Sequence, residues 1–361
     1  ASDYILAVVV QYCKHIQKLT IKSHDNEEVN ELFIFSLGTN LRELRLVDCV
    51  LSDDFGDVYG GVKFSNLSLL DLYGIQSTAC SKLISATPNL QTLKISLGNW
   101  SCAIDRSLGL LRCLVLYHGC NDHQISIKQF KTIRNLEIAV VIGSFWTHKN
   151  LSTIMKTNTN LRSLMIRRSP VCQVKAIKTC CGANLQHLCL SKCREFRSEH
   201  LIILTAGCVN LIDLTISAFQ NISKRRDGLN IRKALLQAPQ LKCLDISDAD
   251  FHYFVLSTIA NDLPNLFYLG IYDTGFVFPK CAGGLIELLN AKSLRTIQIN
   301  EKAKNIGQFA LHLWSRLCPS LCIERKPAPT PFRRKVYDDE DEDEEKDDDD
   351  DDDDNDDDEE E

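Results

Sequence analysis

The 361-residue sequence lacks the short signatures that usually announce chemistry. It holds no G-x-x-x-x-G-K-[ST], H-E-x-x-H, G-x-S-x-G or G-x-G-x-x-G, so no motif points to a phosphate cradle, a zinc protease, a nucleophile elbow or a dinucleotide site. It has no paired C-x-x-C, the usual ligand spacing of a structural zinc. Long apolar runs are missing too. Ile5 to Val10 and Ile138 to Ile142 are far shorter than the roughly 20 residues that cross a bilayer. The N-terminus has neither the basic region nor the apolar core of a signal peptide. Sixteen cysteines over this length are too thinly spread for a small disulfide-stapled scaffold. These absences lead to the expectation of a reduced intracellular protein, cytoplasmic or nuclear, that binds rather than catalyses, with no cofactor and no metal. N-x-[ST] triplets at Asn66, Asn99, Asn150 and Asn221 carry little weight as glycosylation sites, because Asn-Leu recurs for another reason.

Charge is unevenly distributed. Residues 338–361 hold 22 of the 48 acidic residues and one lysine, about −21 in all. The remaining 40 basic and 26 acidic residues leave the body at +14, against a net −7 for the chain. An acidic run of this kind, without apolar residues, repels itself and has no core to bury, so residues 338–361 read as a disordered tail. "KPAPTPFRRKVY" before it reads as a Pro-punctuated basic linker over 326–337.

What is present in abundance is one repeated phrase. An apolar residue is followed three later by a second and two later by a third, often with Asn in front. Examples are "NLRELRL" (Leu41, Leu44, Leu46), "NLQTLKI" (Leu90, Leu93, Ile95), "NLQHLCL" (Leu185, Leu188, Leu190) and "NLFYLGI" (Leu266, Leu269, Ile271). Twelve good copies and a degenerate "SLCI" at Leu321 follow one another at spacings of 21 to 30 residues. This is the leucine-rich repeat signature. Two apolar residues two apart share one face of a short strand, and the residue between them faces the other way. The intervening stretches read as helices, as in "CSKLISATPNL", where Leu83 and Ile84 turn inward and Pro88 ends the helix. No single strand and helix can bury both apolar faces, but stacked copies share a core. The expected fold is an α/β leucine-rich repeat solenoid over residues 1–325, with parallel strands on its concave face and helices on its convex face. The opening "YILAVVVQYCKHIQKLTI" reads as the end of a helix followed by a strand, and suggests a fragment of a longer solenoid.

Several cysteines fall at fixed repeat positions. Cys49 and Cys193 lie three residues after the last strand leucine, and Cys13, Cys208 and Cys318 three before the first apolar residue of the next phrase. "CPSL" at Cys318 is the fullest form. With these residues the chain resembles the cysteine-containing leucine-rich repeat subfamily best known from F-box proteins, over about residues 1 to 325. Most copies lack one or both cysteines, and the repeat from Leu211 is lengthened by "NISKRRDGLNIRK". The resemblance implies a substrate-recognition region of a cullin-RING (SCF) ubiquitin ligase subunit. A protein substrate would sit on the concave face, and the adaptor and cullin would be reached through an F-box outside this chain. No stretch here reads as an F-box: "ELFIFSLGTNL" runs straight into a repeat phrase. The acidic tail gives a second resemblance, to acidic-tailed nuclear leucine-rich repeat proteins of the histone-chaperone or Ran GTPase-activator kind. The activator family carries Asn after the strand, where this chain has Cys49, Ser169, Cys193, Phe219, Ala249 and Thr274.

Solenoids bind through concave positions that alternate with the buried leucines. These positions form a central row of Thr20, Arg45, Asp71, Lys94, Val115, Val140, Met165, Cys189, Thr215, Asp245, Gly270 and Gln298. The candidate partner-binding residues are Arg45, Asp71, Tyr73, Lys94, Tyr117, His118, Arg162, Arg167, Arg168, His187, Lys192, Asp245, Asp248, Tyr272 and Asp273, with basic charge in the middle and acidic charge toward the end. Neither nucleic acid nor a membrane is expected as a partner. "GANLQHLCLSKC" with Cys180 and Cys181 before it could pass for a metal site, but the repeat spacing assigns its cysteines and His187 to three separate places.

Overall fold

The computed structural model describes residues 8–9, 11–13, 15–23, 29, 31–37, 40–51, 63–75, 79–96, 108–117, 133–143, 147–170, 174–193, 196–217, 225–246, 253–271, 287–300 and 322–326. Each repeat phrase becomes a strand. They are β1 Lys18–Lys22, β2 Glu43–Val47, β3 Leu69–Tyr73, β4 Thr92–Ser96, β5 Cys113–Tyr117, β6 Ile138–Ile142 and β7 Ser163–Arg167. They continue as β8 His187–Ser191, β9 Asp213–Ser217, β10 Cys243–Asp245, β11 Tyr268–Gly270, β12 Thr296–Asn300 and β13 Cys322–Lys326. The strands form one sheet in sequence order, every neighbouring pair parallel. Even "SLCI" yields a strand in register with its neighbour. Helices return the chain on the other side: α1 Glu31–Leu37, α2 Ala79–Ser85, α3 His148–Thr157, α4 Val174–Ala176 with a wider turn Ile177–Cys181, α5 Ser198–Gly207, α6 Arg225–Leu236 and α7 Tyr253–Asp262. Parallel strands stack about 4.8 Å apart and packed helices about 8–10 Å apart, so the stack bends with its sheet inside. The chain folds as a leucine-rich repeat solenoid.

The apolar positions of the phrase make the core. Leu41, Leu44, Leu46, Leu67, Leu70 and Leu72 are fully buried, and their counterparts in later coils as far as Ile297 are buried too. Each such leucine contributes roughly 2 kcal/mol of transfer free energy. Leu83 and Ile84 pack inward from α2 as expected, and Thr87 closes the helix by donating to the Ile84 carbonyl at 2.7 Å. The lengthened repeat from Leu211 absorbs its extra residues as α6, with Ile231, Ala234 and Leu235 in the core.

Polar groups fix the register between coils. The carbonyl just before each of β1 to β11 accepts two amides from the next coil, as Arg162 O does from Gln186 N at 2.8 Å and His187 N at 2.9 Å. The Asn that precedes the phrase has a structural task. Asn89, Asn184, Asn210 and Asn265 each donate from Nδ2 to a carbonyl of the preceding coil, those of Ser65, Thr159, Ala183 and Pro239, at 2.7–3.1 Å. This ladder is the reason Asn-Leu recurs. Asn150, in the same dipeptide, is buried at 4% exposure on α3, where no glycan could be attached. Asn66 is exposed, and Asn99 and Asn221 lie outside the described residues.

The turn after the strand is also repeated. Asp48, Gly74, Arg168 and Lys192 occupy it with φ of 53°, 73°, 54° and 52°. The amides of Asp48, Arg168 and Lys192 donate to the last strand carbonyl of the next coil, those of Tyr73, Ser191 and Ser217. At Gly74 a Cβ would lie 2.0 Å from Asp48 Oδ1, so glycine is required by space as well as by φ. One residue further on, Cys49 and Cys193 are buried, and their thiols donate to the carbonyls of Ile21 and Ile166 in the preceding coil, both at 3.6 Å. Cys208 is buried likewise, whereas Cys13, at the β1 end of the stack, is exposed, and Cys318 lies outside the described residues.

Candidate functional site on the concave sheet

The central row of twelve residues read from the sequence is a continuous register row in the sheet, from Thr20 opposite Arg45 to Gly270 opposite Gln298, and Glu324 extends it. Its chemistry changes along the stack in three zones.

Over β1 to β4 the charges compensate one another. Lys18 pairs with Glu43 at 2.6 Å, and Arg45 reaches the same carboxylate at 3.7 Å. The hydrogen bond from Lys18 holds the Glu43 carboxyl below its ordinary range. Asp71 pairs with Lys94 at 3.8 Å. Burial pushes the Asp71 carboxyl above its ordinary range, and Lys94 and Arg45 partly offset that. At 8% exposure Asp71 takes part in the internal pairing of the sheet. Tyr73 and Tyr117 meet edge to face with ring centroids 4.9 Å apart. One strand, β4, lies between them, and its small Ser96, opposite Tyr117, accepts from Gly74 N at 2.8 Å.

Over β5 to β8 the central row is apolar. Val115 is buried, Val140, Met165 and Cys189 are half-buried, and Ile138 is 41% exposed. Strand β6 presents Ile138, Val140 and Ile142 at all three of its concave positions. Burial raises the Cys189 thiol to about 12, which removes it from nucleophilic chemistry near neutral pH. Basic residues rim this zone, but not as one cluster. Arg167, Arg168 and Lys192 share the edge after the strands, linked through the Arg168 amide bond to Ser191 O. Arg162 is exposed at the opposite edge, five residues away along β7, or about 16 Å at strand rise. Strand β7 thus runs between Arg162 and the other three basic candidates.

Over β9 and β10 the concave face carries the acids Asp213 and Asp245. His187 Nδ1 lies 3.6 Å from Asp213 Oδ2. Burial raises the Asp213 carboxyl, with His187 lowering it in part. Asp245 is half-buried in the next strand. His118, Asp248, Tyr272 and Asp273 lie outside the described residues.

The cysteine-rich stretch separates as the repeat spacing implied. Cys181 is buried at the wide turn, donating toward the Met155 carbonyl, with Cys180 half-buried beside it. His187 and Cys189 lie on the concave face, and Cys193 is in the turn. Among the described residues no group of three or more His, Cys, Asp or Glu side chains could hold a metal ion. No helix among them is long and apolar enough to cross a membrane.

No family model matches this chain, and no curated protein matches it. Among solved structures it is similar to the leucine-rich repeat-containing protein LegL7 from Legionella pneumophila, with 17% identity and a TM-score of 0.47 over 66% of this chain and 83% of that one. It is also similar to a chain of a TLR13–ssRNA13 complex, with 15% identity and a TM-score of 0.43 over 89% of this chain and 55% of that one.

Sequence reading picked out the charged and tyrosine positions and passed over the apolar ones. The signal was there: "IAVVI" is the phrase in which period-2 alternation fails, since its outward positions are as apolar as its inward ones.

Proposed function

We propose that this solenoid is a protein-binding module whose partner lies on the concave sheet. The observation that supports it most is the concave face over β5 to β8. A sheet face open to water gains nothing from Ile138, Val140, Ile142 and Met165, and the core does not use them. Regular coils hold these side chains on a hydrogen-bonded frame, so little ordering cost is left for binding. The finer reading is substrate recognition within an F-box type subunit of an SCF ubiquitin ligase. What supports it is the resemblance to cysteine-containing repeats, carried by Cys49, Cys193 and Cys208. The side of the competing nuclear, acidic-tailed reading is taken by residues 338–361.

A photo-crosslinking amino acid at Ser163, on the concave face, and at Lys156, exposed on α3, tests the binding reading. Adducts with protein are expected in cell extract from the first position and not the second; equal or no labelling at Ser163 would remove the concave site. Affinity purification of the gene product with mass spectrometry for a cullin and its adaptor tests the finer reading. Their failure to co-purify ends the ligase role and leaves the binding module standing.

A further inference from the structure

The helical side of the solenoid carries a charged surface that the concave reading does not use. Helices α3, α4 with its wide turn, α5 and α6 pack side by side. Among their described side chains stand six cations, Lys149, Lys156, Lys175, Lys178, Arg232 and Lys233, all exposed, against the single acid Glu199. Six against one leaves a surplus of five positive charges. None of the six has an acidic partner among the described residues. Lys178 is seated by its stem. A Cβ on Gly207 would lie 2.3 Å from Lys178 Cγ, so the glycine that ends α5 makes room for the lysine of the preceding coil.

We infer that this helical face is the docking surface of the chain's own acidic run, residues 338–361. Charge, reach and tethering select that occupant. The run carries 22 acids and one lysine, about −21 in all. The last described strand, β13, ends at Lys326, and 35 residues (361 − 326) follow it. Fully extended they span about 115 Å. Helix α6 lies between β9 and β10 and α3 between β6 and β7. At about 10 Å for each coil on the helical side, even α3 is within about 65 Å of β13. Covalent connection also holds the run near the body at an effective concentration of about millimolar, an advantage that a nucleic acid or a second copy lacks. The sheet side suits the run less, because Glu43, Asp71, Glu137, Asp213 and Asp245 stand on it. With 22 acids facing a surplus of five positive charges, the run is in excess and takes no single register. Docking on the helices leaves the concave sheet clear, so the two surfaces act independently.

The test uses the full chain with p-benzoylphenylalanine placed singly at Asn355, the one uncharged residue of the run, and at Leu229, exposed on α6. Equal amounts of isotopically light and heavy chain are mixed, irradiated and digested, and the adducts are mapped by mass spectrometry. Asn355 should couple to peptides from α3 to α6 and Leu229 to the run, light with light and heavy with heavy. Raising the salt from about 0.1 M to about 1 M shortens the screening length from about 10 Å to about 3 Å and should lower the yield about tenfold. Lys149→Gln, Lys156→Gln, Lys175→Gln and Lys178→Gln together should lower it about tenfold as well. Arg232→Gln with Lys233→Gln gives an independent loss on α6. A matched control, Arg42→Gln, Arg162→Gln, Lys242→Gln and Lys292→Gln, removes four exposed charges beside the sheet and should leave the yield nearly unchanged. Circular dichroism checks that the variants stay folded, and the salt response of the unsubstituted chain needs no variant.

Light-to-heavy adducts would give the face to a second copy. Capture of RNA or of another protein at Leu229 in cell extract, in place of the run, would give it to an outside polyanion. Adducts from Asn355 confined to the sheet side, an equal loss in both four-charge variants, or no adduct at all would remove the helical face as the docking surface. Each of these results overturns the contact, and none of them bears on the concave site.

Discussion

At Cys189 one atom decides what a residue can do. Its sulfur lies on the concave face, half-buried, between Met165 on β7 and Thr215 on β9. Burial, with a smaller contribution from Asp245, raises its thiol to about 12, as burial raises that of Cys208 to about 11. At pH 8 a thiol of pKa about 12 is ionised in only about one part in ten thousand. Alkylation of the folded protein at pH 8, followed by peptide mass spectrometry, should therefore label exposed Cys13 first and leave Cys189 nearly untouched. Between pH 8 and 10 the rate at Cys189 should climb about tenfold per pH unit, following the thiolate fraction. A fast, pH-independent reaction there would mean that the sulfur is not in the environment described.

A coil is held to its neighbour by polar groups as much as by leucines, and Asn158, which ends α3, illustrates this. Its side chain is buried, accepts from Leu136 N at 2.9 Å, and donates to Ile133 O at 3.1 Å and Ile154 O at 2.8 Å. It stands three residues before Leu161, the position that Cys208 fills before Leu211. Asn158→Ala leaves the Leu136 amide and the Ile133 carbonyl without these partners in the core. The expected loss is about 2 to 4 kcal/mol of stability. Urea unfolding should show it, with Asn158→Cys recovering part of it; an alanine variant as stable as the parent would refute this role. The next coil end is held by close approach instead. At Gly182 a Cβ would lie 2.6 Å from the Gly207 carbonyl, so backbone meets backbone where Asn158 uses a side chain.

For the whole molecule, stability is a sum over neighbouring coils, so position in the stack matters. Leu44 and Leu46 of β2 are fully buried, whereas Leu19 and Ile21 of β1 are only partly so. Hydrogen exchange should therefore run faster at the β1 amides than at those of β7 and β8, by about tenfold or more. Uniform protection along the stack would mean that the coils open as one unit. The asymmetry matters for function because the proposed binding strip lies in the middle coils, which have neighbours on both sides.

The repeating phrase determined by itself that there would be a strand per coil, which residues would face inward, and which would form the central concave row. A period of two is a local property, written in consecutive residues. What the tertiary structure decided is who stands beside whom. Tyr73 touches Tyr117 across Ser96, Lys94 pairs with Asp71, and Arg162 is parted from Arg167 by the length of β7. Repeats of 21 to 30 residues absorb their differences in loops and helices before each strand returns to register. Lateral neighbours are thus fixed by hydrogen bonding between coils and not by separation along the chain. The apolar strip is partly a lateral feature of this kind: Ile138, Val140 and Ile142 stand out in their own phrase, but Val115, Met165 and Cys189 join them only through alignment across four strands.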